Sequence, residues 1–425
     1  MTAVRNVLIS GAGIAGPALA HWLHRYGIEP TVVERAPAPR SGGYAVDVRG
    51  VALDVAERMG VLDGIVEHGT GMASASFVDA RGRRVADFTP AQARTDSGGR
   101  SRELLRGDLV RLLHEPTTAY TEYLYDDTVT ALEQAPGGVH VSFAHAAPRV
   151  FDLVVGADGL HSTTRALAFG PEGPFRRFLN AYISICTVPN HLGLDREVLL
   201  HNLPGRAIAL YHTPRAEGAK AMFLVSTRSE TGIDRRPAGE QRQFLREAFA
   251  GAGWEAGRLL SETEAAPDFY FDSVTQIRAR SWSAGRVVLL GDAAHCPSPA
   301  SGQGSSLALA GAHVLAGELA RHEAPAAALA AYEARMRPFV AANQAIADAG
   351  LGFLAPRTRT GIAVRNALVR AAPLLSRVGG FDSRLSRAAE ALELDAPAPP
   401  SGRPARPGAS RPDGTPRGRG RLPRL

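Results

Sequence analysis

Apolar positions along the chain follow two rhythms. Near the N-terminus a short apolar run, Val7 to Ser10, passes into glycines and then into apolar residues at helical spacing, which predicts a strand followed by a helix. Gly27 stops that helix, and a second run, Thr31 to Val33, ends at Glu34, completing a β-α-β pattern. Similar buried strands are predicted at Leu153 to Val155 and Val287 to Leu290, each running into glycine. Between about residues 176 and 275 the rhythm becomes alternation: "AYISICTV", "REVLLHN", "RAIALYH" and "AKAMFLVST", separated by Pro/Gly turns, predict an antiparallel sheet, and "AGEQRQFLREAFAGAG" a helix after it. Helical spacing returns in "SSLALAGAHVLAGELA", in "AAALAAYEARMRPFVAANQAIADAG", and near residues 361–376 and 381–394.

The length, 425 residues, leaves room for two or three domains, and 45% hydrophobic content is ordinary for a globular protein. Charge changes the picture only once it is located. Residues 396–425 carry seven arginines and one aspartate, which is the whole formal excess of +6, so the body is neutral and predicts no nucleic-acid partner. That tail has no aromatic residue and few large aliphatics, so it is read as disordered. Lys220 is the one lysine, a bias toward arginine that fits codon usage better than a binding surface. Two cysteines, Cys186 and Cys296, exclude a disulfide framework and a cysteine-based zinc site, and no metal is expected. Glycines break the first apolar run, and no segment sustains about 18 apolar positions. The expectation is a cytoplasmic protein, neither exported nor membrane-spanning.

The first candidate site follows the first strand. Gly11, Gly13 and Gly16 form GxGxxG: the first allows the tight turn, the second lets backbone approach a pyrophosphate, the third lets the helix pack on the strand. Ile14 and Ala15 belong to the same cradle, at a helix N-terminus that favours an anion. Glu34 then accepts the ribose hydroxyls of an adenosine. NAD and FAD are not distinguished at this point. The predicted class is α/β with a Rossmann-like nucleotide-binding domain.

Two later stretches narrow it. "GADGLHSTTR" places Gly156, Asp158, Gly159, Ser162 and Arg165 after the third strand, and "GDAAHCPSPASGQGSS" places Asp292 at the carboxyl end of the fourth, where open α/β sheets bind ligands. Asp292 there can accept from a polyhydroxyl chain. Pro297 and Pro299 hold an extended loop, and Gly302, Gly304 and Ser305 expose N–H groups at a helix start, donors that suit an anion. In order and spacing, over residues 1 to about 345, these three stretches resemble the fingerprints GxGxxG, DGxxSxxR and GDAAH of the class A flavoprotein monooxygenases, the para-hydroxybenzoate hydroxylase family, close to its antibiotic-tailoring group.

The resemblance implies FAD, with Asp292 on the ribityl chain and the Gly302–Ser305 donors at the flavin edge that becomes negative on reduction. It implies further FAD contacts at Arg35, Asp158 and Arg106, and, through "GGYAVDVRG", flavin or nicotinamide contacts at Gly43, Tyr44 and Asp47. Asp47 and Pro299 are the flavin-proximal candidates for catalysis, and no side chain is assigned a catalytic role. His295 and Cys296 are read as packed residues. Ser306 and Gly311-Ala312 depart from the asparagine and the Asp-Ala pair common in that helix.

The implied organisation is an FAD-binding domain over residues 1–175 and 276–345, an inserted antiparallel substrate sheet over 176–275 with a part near 70–105, C-terminal helices over 346–395, and the tail. Apolar residues Ile183, Ile185, Leu210 and Phe223 are candidates to line the cavity. The implied reaction uses NAD(P)H and O2 to oxygenate an aromatic or polyketide small molecule through the flavin C4a-hydroperoxide. A reductase or dehydrogenase of the same fold, or a non-redox flavoprotein, are the alternatives. Monomer and homodimer both fit.

Overall fold

Strands that are apolar on both faces belong inside a parallel sheet covered from both sides. Asn6–Ser10, Leu153–Gly156 and Val287–Leu289 are such strands, and they pair in parallel at the centre of a six-stranded sheet. The order is Ser283–Ala284, Val287–Leu289, Leu153–Gly156, Asn6–Ser10, Glu29–Glu34 and Glu122–Tyr125, with only the first strand antiparallel to its neighbour. The computed structural model describes residues 4–39, 43–88, 100–371 and 386–395. The tail thus lies outside the described residues.

One face of this sheet, through Val7, Ile9, Val32, Leu153, Val155 and Val288, packs on the helices Ala15–Arg25, Gly304–Arg321 and Pro325–Gln344. The other, through Leu8, Val33, Val154 and Val287, packs on a three-stranded antiparallel sheet made by Val129–Ala135, Gly138–Phe143 and Arg149–Phe151.

A second sheet has seven strands, in the order Tyr270–Ile277, Arg176–Val188, Ala219–Ser226, Arg206–Tyr211, Glu197–Leu203, Ser74–Val78 and Arg84–Phe88. One pair departs from the antiparallel reading: Glu197–Leu203 runs parallel to Ser74–Val78. The Ser74–Phe88 hairpin comes from far upstream and meets the sheet edge without a local turn, so nothing forces antiparallel pairing there.

The two faces of this sheet have different fates. Tyr182, Cys186, Ile208, Leu210 and Phe223 pack beneath the helices Ala238–Ala248 and Ala256–Ala265, whereas Ile183, Ile185, Ala207, Leu224 and Val274 face Tyr44, Ala300, Leu351 and Leu354. Leu210 and Phe223 are therefore helix-covered core, a correction to the cavity assignment. The cause is register: Phe223 lies opposite Ser184, one position off Ile183 and Ile185, and a one-residue offset reverses the face.

The C-terminal helical run breaks into Pro325–Gln344, Ala347–Leu354 and Arg359–Ala371. Residues 391–395 are not helical, against the expectation for 381–394, of which 381–385 lie outside the described residues. Arginines hold this end extended instead: Arg58 donates to the Asp395 carbonyl at 2.7 Å, and Arg321 and Arg335 reach its carboxylate. Among the described residues no helix is long and apolar enough to cross a membrane.

Candidate functional site

The parallel pairing brings all three glycine motifs to the same end of the sheet. At the first, Gly11 has φ +108°, and a Cβ there would stand 2.6 Å from the Ala157 carbonyl oxygen of the second motif. A Cβ on Gly16 would stand 2.0 Å from the Gly11 carbonyl oxygen, so the helix rests directly on the turn. Gly13 is different: its nearest neighbour is the Arg106 guanidinium at 3.5 Å, leaving a cradle that a side chain would begin to fill. Ile14 precedes the helix Ala15–Arg25 with no side-chain cap, so the first-turn N–H groups are left for a ligand.

Glu34 accepts from the backbone N–H of Ala12 at 2.9 Å and of Ala36 at 3.0 Å, one bond to each carboxylate oxygen. It ties the glycine turn to the end of the second strand and keeps lone pairs for ribose hydroxyls. Arg35 is exposed beside it. The strand Ala45–Arg49 pairs with Ser101–Leu105, and Arg106 donates its backbone N–H to the Tyr44 carbonyl at 2.9 Å, so Gly43, Tyr44 and Arg106 adjoin.

The second motif is a brace. Asp158 accepts from Ser162 Oγ and from the Thr164 N–H and hydroxyl, capping the helix Thr163–Phe169 with its carboxylate. Arg165, fully buried, donates to the Ala293 carbonyl at 2.9 Å, the Leu160 carbonyl at 2.7 Å and Glu172 at 2.9 Å. It fastens the second motif to the third.

In the third motif Asp292 follows the strand, and Gly291, at φ +62°, brings a would-be Cβ within 3.2 Å of Ala15 in the first. Burial pushes the Asp292 carboxyl up, against the opposing pull of the Cys296 thiol and the Arg106 charge. Pro299 opens a single turn whose preceding residue, Ser298, has φ +81°, and Gly302, at φ +64°, lies 3.2 Å in Cβ terms from Asp47 Oδ2. The helix Gly304–Arg321 then starts without a side-chain cap, and Gly304 adjoins Asp292. Ser306, where the resembled family commonly has asparagine, accepts from the Arg49 N–H at 3.1 Å and so ties this helix to the Tyr44 strand. His295 is buried against Trp282 and held neutral by burial, its pKa lowered to about 3, and Cys296 is buried beside it.

Several polar atoms around this loop lack a protein partner: both side-chain atoms of the fully buried Gln303, and Asp47 Oδ1. Buried polar atoms are rarely left without a partner, whether protein, water or ligand. Together with the open cradle at Gly13 and the uncapped helix starts, they fit an extended dinucleotide. We expect Asp292→Asn to weaken FAD binding about tenfold by replacing a charged acceptor, while raising apoprotein stability at neutral pH by removing a carboxylate whose charge burial disfavours. Flavin titration and thermal unfolding of the same variant check both; unchanged FAD affinity overturns the contact.

The sequence reading missed a cluster beside these motifs. His161, inside the second motif, meets Glu172 at 3.2 Å through Nδ1 and Asp272, on the strand Tyr270–Ile277, at 3.3 Å through Nε2. The two carboxylates raise its pKa to about 9. The folded value exceeds the ordinary histidine value of about 6.5, so this stabilisation is complete below that value and is lost as pH rises through about 9. His161→Gln is expected to flatten the fall in stability across that window, measured by urea unfolding; an unchanged slope excludes His161 as its source.

Comparison with known proteins adds four observations. Residues 5–347 match the family model of the FAD binding domain. Rv1260 of Mycobacterium tuberculosis (strain ATCC 25618 / H37Rv), an uncharacterized protein, is 45% identical over 346 residues, spanning 80% of this chain and 92% of the relative. A flavin-dependent monooxygenase of Legionella longbeachae serogroup 1 (strain NSW150) is 38% identical over 342 residues, 80% and 87% of the two chains. Among solved structures, tetracycline destructase Tet(55) superposes with a TM-score of 0.80 at 36% identity, covering 93% of this chain and 100% of that one.

Proposed function

Because this chain belongs to the FAD-binding-domain family, as a flavin-dependent monooxygenase, we propose that it takes electrons from NAD(P)H and inserts one atom of O2 into an aromatic, polycyclic small molecule of the tetracycline or polyketide type. One observation carries the substrate class. The sheet face is apolar at Ile183, Ile185, Leu224 and Val274 and lies opposite Tyr44 and Ala300, beside the loop that leads into the Gly304–Arg321 helix. An apolar wall beside that loop suits a planar, fused-ring guest.

When bound, FAD supplies the electron and oxygen transfer. The residues' own tasks are orientation and charge. In this reading the first-turn N–H groups at Ile14 and Ala15 receive the pyrophosphate, with Arg106 over the Gly13 cradle, while Glu34 and Arg35 hold the adenosine end. Asp292 accepts from the ribityl hydroxyls. Gly43, Tyr44 and Asp47, with Pro299 and Gly302 of the adjoining loop, would border the ring, and the N–H groups of Gly304 and Ser305 at the uncapped helix start would serve the edge where negative charge gathers. Asp158, whose carboxylate also accepts from Ser162 and Thr164, would contact the cofactor beside them.

This reading comprises an FAD-binding unit at 1–175 and 276–345, a substrate sheet at 176–275 joined by strands from 70–105, and a closing C-terminal part at 346–395 that includes the helices Ala347–Leu354 and Arg359–Ala371. It places the enzyme in the cytoplasm, where NAD(P)H is available.

The test is turnover of purified holoenzyme with NADPH or NADH, with and without tetracycline and a hydroxylated anthraquinone. The expected result is substrate-dependent O2 consumption and a product mass increased by one oxygen. NADPH oxidation with peroxide release and no oxygenated product from any aromatic compound overturns the substrate assignment.

A further inference from the structure

Tyr270 and Asp272 lie opposite Ile185 and Ile183 across a strand pair, so both side chains share the apolar face that looks toward Tyr44. Two polar groups on that wall require a reason. The Tyr270 ring centroid is 6.0 Å from that of Tyr44, yet Tyr270 remains 38% exposed, while Asp272 is buried.

Their hydrogen bonds fix a direction. The Tyr270 hydroxyl donates to Asp272 Oδ2 at 2.9 Å. Asp272 Oδ1 accepts from the Ser273 N–H at 2.7 Å and meets His161 Nε2, whose other nitrogen meets Glu172. The remaining charges around Glu172 are the guanidinium groups of Arg165, Arg176 and Arg235, and Cys296 and Tyr44 complete the titratable surroundings of Asp272. An ionised carboxylate only accepts. The single hydrogen of the Tyr270 hydroxyl is therefore committed to Asp272, and the oxygen's lone pairs are left as acceptors beside Tyr44, where the residue is 38% exposed.

We propose that Tyr270 is the substrate-recognising acceptor of this site, selecting guests that present a phenolic or enolic O–H, with Asp272 and His161 as the positioning residues that set its orientation. The assignment rests on the aromatic-substrate reading above. A tyrosine phenol is a neutral hydroxyl at neutral pH, and partial desolvation with the Asp272 charge pushes it further up, so it takes no proton from its guest. Against desolvation, the protonated His161, the Tyr270 hydroxyl and the Ser273 N–H hold the Asp272 carboxyl below its ordinary value, so it is ionised at neutral pH, and losing the His161 charge weakens that hold. A site built around one hydrogen bond rejects the analogue that lacks the donor, because the acceptor is then desolvated without a partner.

The experiment uses FAD-loaded enzyme and a matched pair of probes, 2-naphthol and 2-methoxynaphthalene, with binding followed by the flavin absorbance change at neutral pH. Wild type is expected to favour the naphthol about tenfold, and Tyr270→Phe to bind the two equally with affinity for the ether retained. Asp272→Asn and His161→Gln are expected to reduce the preference. Independently of any ligand, NMR titration of the His161 ring is expected to give a value near 9 in wild type and a lower one in Asp272→Asn, where Glu172 alone still raises it. Equal binding of the probes by wild type, or a preference that survives in Tyr270→Phe, overturns the recognition role. A normal His161 titration in wild type overturns the positioning chain. Binding of neither probe nor of tetracycline, with His161 titrating near 9, instead marks the aromatic-substrate reading as the failure and the recognition role falls with it.

Discussion

Gly16→Ala is expected to abolish practical FAD loading and to destabilise the protein, whereas Gly13→Ala, three positions away, is expected to impair loading alone. The two glycines face different obstacles. A methyl on Gly16 would stand 2.0 Å from the Gly11 carbonyl oxygen, a backbone atom that cannot rotate away, so the helix Ala15–Arg25 has to lift off its strand. Overpacking of this kind costs about 1–3 kcal/mol, and the lifted helix end carries the N–H groups meant for the pyrophosphate. A methyl on Gly13 meets only the Arg106 guanidinium at 3.5 Å, an ordinary contact. It intrudes where the cofactor backbone must approach. Flavin titration should show FAD affinity weakened on the order of a hundredfold for Gly16→Ala and about tenfold for Gly13→Ala, and thermal melts of the apoproteins should show a fall for Gly16→Ala only. Equal melting shifts for the two variants contradict this division.

The second large effect is expected at Arg165. Its guanidinium is fully buried and spans the second motif, the third motif and Glu172. Arg165→Met keeps much of the volume but leaves the Ala293 and Leu160 carbonyls unpaired. Glu172 retains Arg176 and His161. Breaking such a buried arrangement costs about 3 kcal/mol, which for a chain of this size is expected to lower Tm by about 3 °C. FAD retention should fall as well, because Ala293 follows Asp292 directly. A Tm within one degree or so of wild type contradicts the bracing role.

Local chemistry was legible in the sequence and non-local pairing was not. GxGxxG and the strand-ending Asp292 could be read because strand, turn and helix sit within a few dozen consecutive residues and each glycine has a local steric task. A second task of Asp158 was hidden by its motif: only coordinates show that the carboxylate expected at the cofactor also accepts from Ser162 and Thr164, beside the Ser162 helix cap. Leu210 and Phe223 were misplaced because alternation gives two faces without saying which one meets the helices. His161, Asp272 and Tyr270 escaped for the same kind of reason. The partners of His161 lie 11 and 111 positions away, and the strand register that turns Tyr270 toward Tyr44 is set by pairing with Arg176–Val188. The alternation in "YFDSV", Tyr270 and Asp272 against Phe271 and Ser273, was the available signal.

The arginine grip on Asp395 has a consequence for the order of folding. Arg58 and Asp395 are 337 positions apart, and a Cβ on Gly50 would strike the carbonyl of Ala389, so the helix Val51–Arg58 gains its last neighbours only from the far end of the chain. Closing a loop of that span is entropically slow compared with the local β-α-β unit. During synthesis, the helix Val51–Arg58 must wait for a segment made more than three hundred residues later, and a version ending at residue 385 should refold without that late step.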